Sequence, residues 1–98
     1  MSALEKGHPI DFRQLGYFLA LAEHGTISAA ASALNMAQPS LSENIAKLEK
    51  RLDVQLAIRG VRGIQLTEAG IVLARRGKEI LQSVDGLIEE IRQTSSEP

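Results

Sequence analysis

Between residues 38 and 62 the chain gathers side chains that donate and accept hydrogen bonds in mixed order: Gln38, Ser40, Ser42, Glu43, Lys47, Arg59 and Arg62, with Pro39 among them. Their chemistry suits recognition rather than bond-making. A Gln can bond two edge atoms of adenine, a Ser can donate to a base or a phosphate, and a carboxylate can accept from the cytosine N4 amine. Lys and Arg neutralise phosphates, and Arg is drawn to the negative potential of a narrow minor groove. Each also has an ordinary role open to it. Gln38 could cap a helix, Glu43 could pair with Lys47 one turn on, and Lys47, Lys50 and Arg51 could form a solvated face.

Net charge is −1 over 98 residues, which alone speaks mildly against a polyanionic partner. Its distribution speaks the other way. Residues 1–37 sum to −1, residues 38–62 to +2 and residues 63–98 to −2. The positive excess sits in the segment holding the polar set, and local field governs docking more than total charge. The near-neutral total and Glu43 keep open a second class, a winged-helix module whose third helix binds a protein.

Catalysis finds no support. The segment "GIVLARRGKE" superficially resembles a phosphate-binding loop, but six residues, not four, separate Gly70 from Gly77, and Glu79 stands where a Ser or Thr would hold Mg²⁺. There is no cysteine, and His8 and His24 share no ligand spacing. No cofactor or metal is expected. No apolar run reaches the roughly 18–20 residues of a membrane span, and the N-terminus lacks a signal-peptide core, so a soluble intracellular protein is expected.

The elements that must position the set are mainly helical. Residues 1–9 suggest a loose leader. From Asp11, a plausible cap, Phe12, Leu15, Phe18, Leu19 and Ala22 follow helical spacing as far as Gly25. Thr26 or Ser28 can cap a short second helix, whose alanines admit close packing and which Asn35 can end. A third helix starts near Pro39. In it Leu41, Ile45, Leu48 and Leu52 lie within about 60° of one another, leaving Pro39, Glu43, Ala46 and Lys50 on the opposite face. Two helices joined by a tight turn, the second polar outward, form a helix-turn-helix. Val54, Leu56 and Ile58 alternate, as do Ile64 and Leu66, with Gly60 and Gly63 bracketing the turn. This predicts a hairpin wing carrying Arg59 and Arg62 near its tip. From Thr67 to about Gln93 a long helix would extend roughly 40 Å. Its Leu73, Gly77, Ile80, Val84, Leu87 and Ile91 repeat at four-three spacing, which calls for a partner helix, most simply from a second copy.

The fold class expected is therefore a winged helix-turn-helix of three helices and a short β-hairpin over residues 1–66. A long dimerisation helix follows over 67–93, and residues 94–98 are expected to be a hinge remnant. "FRQLGYFLALAEHGTISAAASALNMAQPSLSENIAKLEKRLDVQL" followed by "RGVRGIQLTEAG" resembles the N-terminal DNA-binding domain of LysR-type transcriptional regulators. The match rests on Phe18, Ala30-Ala31, Leu34, Gln38-Pro39, Leu41-Ser42, Ile45, Leu48-Glu49, Leu52, Leu56, Arg59 and "LTEAG" at 66–70. The resemblance implies a bacterial, nucleoid-bound cytoplasmic regulator. Its third helix and wing would bind a near-palindromic promoter site in double-stranded DNA, and the long helix would pair two copies. It also implies a C-terminal domain, absent from this chain, that takes a small-molecule inducer and helps form tetramers. Four positions depart from the family pattern: Glu43, where Arg is common; Asn44, where Gln is; Asp53, a frequent Gly; and Ala57, usually a larger apolar residue.

Overall fold

Each early helix begins and ends on a local device that its sequence supplies. In the computed structural model, which describes residues 8–95, α1 (Phe12–His24) starts from Asp11, whose Oδ1 accepts the Gln14 N–H at 2.7 Å. It stops at Gly25, whose φ of 80° is left-handed. Thr26, rather than Ser28, caps α2 (Ile27–Leu34), its hydroxyl accepting the Ala29 N–H at 3.0 Å. Asn35 closes α2 at φ 55°. α3 (Gln38–Leu52) follows directly, with Ala37 as its N-cap, Pro39 in its first turn and Asp53 ending it at φ 56°. The leader expected over residues 1–9 lies largely outside the described residues, as do residues 96–98.

The three helices close around Phe18, Leu21, Ala30, Ala31, Leu41, Ile45 and Leu48, joined by Leu56 from the segment beyond α3. Full burial of a Phe or Leu side chain contributes about 1.5–3 kcal/mol. Ala30 and Ala31 are buried to 0% and 1% exposure, as close helix packing through small residues requires.

Strands β1 (Ala57–Gly60) and β2 (Gly63–Leu66) pair antiparallel, from Ala57 opposite Leu66 to Gly60 opposite Gly63, leaving Val61 and Arg62 as a two-residue turn. The strand alternation expected from Val54 through Ile58 is not realised as such. β1 begins only at Ala57, because Glu49 of α3 accepts the N–H groups of Leu56 and Ala57 at 2.7 and 3.2 Å. Leu56 turns into the core, while Val54 stays 41% exposed.

α4 (Glu68–Ser95) is a single helix of 28 residues, about 42 Å at 1.5 Å per residue, and the molecule reaches 56 Å along its longest axis. Thr67 caps it, its hydroxyl accepting the Gly70 N–H at 3.1 Å. Ala69, Leu73 and Ala74 pack against the domain's own core. Leu73, expected in the dimer seam, packs on its own domain's core, in the stretch of α4 that leads to Gly77 against Leu15 and Leu19 of α1. Of the hinge expected at 94–98, Thr94 and Ser95 are helical, and the rest lies outside the described residues.

Candidate nucleic-acid interface

The polar set is carried by the first half of α3 and by the wing. Ala37 offers no side chain to the first amides of α3, and Pro39 has no N–H to satisfy. This positive end of the helix dipole is thus open to an anion. Gln38, Pro39 and Ser40 are exposed and Ser42 is half-buried.

The wing is set beside this face by bonds from three elements. The Ile64 N–H donates to the Gly25 carbonyl at 2.8 Å, seating β2 on the α1–α2 turn. On the α3 side the Glu49 carboxylate holds the Leu56 and Ala57 amides. From the α4 side the Thr67 N–H donates to the Leu56 carbonyl at 3.0 Å, and the Thr67 hydroxyl donates to the Gln55 carbonyl at 2.6 Å. Gly70 fits only because it has no Cβ, which would lie 2.1 Å from the Leu56 oxygen.

Held this way, Arg59 reaches α3, where its Nη2 donates to the Ser42 hydroxyl. Gln38, Pro39, Ser42 and Arg59, with Ile27, line one open concavity of about 590 Å³. Four of the eight expected site residues thus converge. The other four do not share that surface. Glu43 and Lys47 form an ion pair at 3.6 Å with side chains 71% and 65% exposed, the ordinary intrahelical role that the sequence allowed. The Ser40 carbonyl accepts the Asn44 side-chain amide at 2.9 Å, so Asn44 turns back on its own helix. Arg62 lies at the far end of the hairpin beside fully exposed Val61.

Sequence reasoning assigned no role to Glu49 and saw Thr67 only as the start of a helix. One signal for Glu49 was present. An acid in the last turns of a helix sits against the negative end of the dipole, so it calls for a donor. Here the donors are two backbone amides of the chain that follows.

On α4, Ile80, Val84, Leu87 and Ile91 lie within about 60° of one another at 100° per residue. Ile80, Leu87 and Ile91 are 45%, 56% and 56% exposed and Val84 is half-buried, so the stripe stands largely uncovered. Among the described residues no helix is long and apolar enough to cross a membrane.

Comparison with known proteins agrees with this geometry. The family model described as "Bacterial regulatory helix-turn-helix protein, lysR family" matches residues 12–71. The HTH-type transcriptional regulator PtxR of Pseudomonas aeruginosa is 35% identical over 99% of this chain and 31% of its own length. XapR of Escherichia coli, also an HTH-type transcriptional regulator, is 39% identical over 92% of this chain and again 31% of its own. The chain thus spans about a third of these curated relatives. Among solved structures, the CbnR DNA-binding domain in complex with DNA superposes with a TM-score of 0.82 at 37% identity, covering 88% of this chain and 99% of that one. The BenM DNA-binding domain on its catB site 1 DNA gives 0.88 at 32% identity, covering 91% and 99%. With the same wing, the same helix order and a family model spanning most of the chain, the protein belongs to the lysR family of bacterial regulatory helix-turn-helix proteins.

Proposed function

We propose that residues 1–66 form the sequence-reading unit of a bacterial transcriptional regulator and that α4 joins two copies of it. The observation that carries this reading is the concavity in which the first turns of α3 and the wing's Arg59 meet at Ser42. Solved DNA complexes of the CbnR and BenM domains support it.

In this reading α3 lies in the major groove with Gln38 and Ser42 toward base edges, while Pro39 and Ser40 bring the open helix start to a phosphate. Arg59 and Arg62 flank the half-site at the backbone or minor groove. Lys47 adds positive charge, and Glu43 trades general affinity for sequence choice. Paired through Ile80, Val84, Leu87 and Ile91, two copies present their α3 helices to successive major grooves of a near-palindromic site, at least one helical turn of about 34 Å apart. The chemistry is positional and no reaction is catalysed, in keeping with relatives named as regulators. The whole regulator would act on the nucleoid in the cytoplasm. Its inducer site and tetramer contacts are assigned to the two-thirds of the relatives' length that this chain does not cover.

Fluorescence anisotropy of the chain on duplex from upstream of its own gene, titrated with salt, tests this. About six phosphate contacts would cost roughly a thousandfold in affinity between about 50 and 200 mM salt. No shift with promoter DNA at low salt would overturn the reading in favour of a protein-binding winged helix.

A further inference from the structure

We infer that Glu49, which lines a small pocket with Ser42 and Arg59 while its carboxylate is taken by backbone amides, is a positioning residue for the proposed DNA face, setting where the wing leaves α3 and so holding Arg59 over Ser42. The inference rests on the DNA-reading function proposed above.

Three observations converge on Leu56. Its N–H, with that of Ala57, donates to one oxygen, Oε2 of Glu49. Its carbonyl accepts the Thr67 N–H from the opposite side, and Gly70 lies against the same oxygen. Its side chain is 1% exposed in the core. The peptide entering β1 is therefore fixed on both edges. Of its hydrogen bonds, the carboxylate's alone come from α3, the helix that carries Ser42. Arg59 lies two residues beyond Ala57 on the same face of β1, so a loosened Ala57 moves the guanidinium away from α3. Hydrogen bonds to an ionised acceptor are roughly twice as strong as neutral ones, which suits a single side chain to this task.

The test compares Glu49→Ala, Glu49→Gln and Arg59→Ala, singly and combined, in the 98-residue chain at a temperature where circular dichroism shows each folded. Amide exchange of Leu56 and Ala57 reads the clamp directly, with the Ala29 amide as control. DNA affinity against salt reads its consequence. For Glu49→Ala the two amides are expected to exchange faster while Ala29 does not change. Affinity is expected to fall about tenfold and the salt slope to lose about one, as for removal of a phosphate contact. In the Glu49→Ala background Arg59→Ala is expected to add little, the non-additivity of residues acting through one contact. Glu49→Gln, which keeps one carbonyl acceptor, is expected to recover much of the loss.

A folded Glu49→Ala protein with the wild-type salt slope, or one in which Arg59→Ala still has its full effect, overturns the inference. So does unchanged exchange at Leu56 and Ala57. Where Glu49→Ala does not fold, Glu49→Asp withdraws the charged group by one methylene and is held to the same expectations. If the wild-type chain binds no duplex at any salt, the DNA-reading function falls and takes this inference with it. A wild-type chain that binds while Glu49 variants behave as wild type sinks the inference alone.

Discussion

Arg59 and Ser42, seventeen residues apart, are joined by a hydrogen bond from guanidinium to hydroxyl that ties the wing to the first half of α3. The bond directs the charge toward the helix face before any ligand arrives, so less side-chain freedom is lost on binding. Arg59→Ala is expected to weaken DNA binding on all sequences alike and to reduce the salt slope by about one. Ser42→Ala should cost less affinity but should narrow the preference among sequences. Both should leave unfolding stability within about 0.5 kcal/mol, because the pair is exposed. A drop in melting temperature as large as the loss in affinity would show that the bond supports the fold instead.

Glu43 offers a separate test because its charge is already partnered by Lys47. Exposed helix pairs of this kind contribute about 0.3–0.5 kcal/mol, so Glu43→Gln should scarcely change stability. It removes a repelling carboxylate and frees Lys47 for a phosphate. Binding to random duplex is therefore expected to tighten and its salt slope to steepen by about one. Binding to the operator should tighten less, since an acceptor for a cytosine amine is lost. Equal gains on both DNAs, measured by competition, would remove Glu43 from sequence choice.

What was legible in the sequence was what neighbouring residues decide. Asp11 and Thr26 cap helices three residues away, Gly25 and Asn35 adopt the left-handed conformations that end them, and Gly60 and Gly63 frame a two-residue turn. The convergence of Gln38, Pro39, Ser42 and Arg59 followed from helical spacing and the wing's place in the chain. Features settled at a distance were not legible. The start of β1 depends on Glu49, seven and eight residues upstream, and on Thr67 downstream. Leu73 belongs to the same repeat as Ile80, and only the packing of α4 on its own domain leaves the first half-buried and the second exposed. The polar run after Gln93 resembled a break, yet the Thr94 and Ser95 hydroxyls donate to the Ile91 and Arg92 carbonyls, bonding back along the helix instead of ending it.

The glycines of α4 should respond in a fixed order when each becomes Ala. At Gly86 a Cβ meets nothing within 4 Å, so the helix gains about 0.8–1.0 kcal/mol of propensity, or roughly 4–8 °C in melting temperature per kcal/mol in a domain of this size. At Gly77 the new Cβ would lie 2.6 Å from Leu15 Cδ1, the end of a side chain that can turn aside. Gain and loss should nearly cancel, within about 1 kcal/mol. At Gly70 the obstacle is the Leu56 backbone oxygen, which cannot move without lifting the base of the wing, and a loss of about 3 kcal/mol is expected. Chemical unfolding of the three variants checks the order, and a Gly70→Ala protein as stable as Gly77→Ala would contradict it.

Asp53 holds a left-handed backbone at φ 56° where α3 ends. That conformation costs a residue with a Cβ about 1–2 kcal/mol, while Gly gives back roughly 0.5–1 kcal/mol in backbone entropy lost on folding. Asp53→Gly is therefore expected to stabilise the domain by about 0.5–1 kcal/mol without touching the DNA face, a net of these two effects. A lower unfolding midpoint would mean that the Asp53 carboxylate contributes something that the backbone conformation does not account for.

Along the one apolar stripe of α4, the end near the core and the far end are expected to do different work. Leu87 and Ile91 are each 56% exposed near the far end of the helix, beyond the turns that cover the core. In a lone molecule Leu87→Glu is a surface change, worth within about 0.5 kcal/mol. In a dimer it places a carboxylate in the seam. Sedimentation equilibrium is expected to show paired wild-type chains and single Leu87→Glu chains at the same concentration. Operator affinity is expected to fall by about a hundredfold or more as the second half-site stops contributing. Leu73→Ala supplies the contrast. Half-buried against its own core, it should lower unfolding stability by about 2 kcal/mol through the space it vacates, while folded molecules still pair. Should Leu87→Glu chains pair as tightly as wild type, the stripe from Ile80 to Ile91 is not the joining surface, and the spacing of two α3 helices along DNA would have to be set elsewhere.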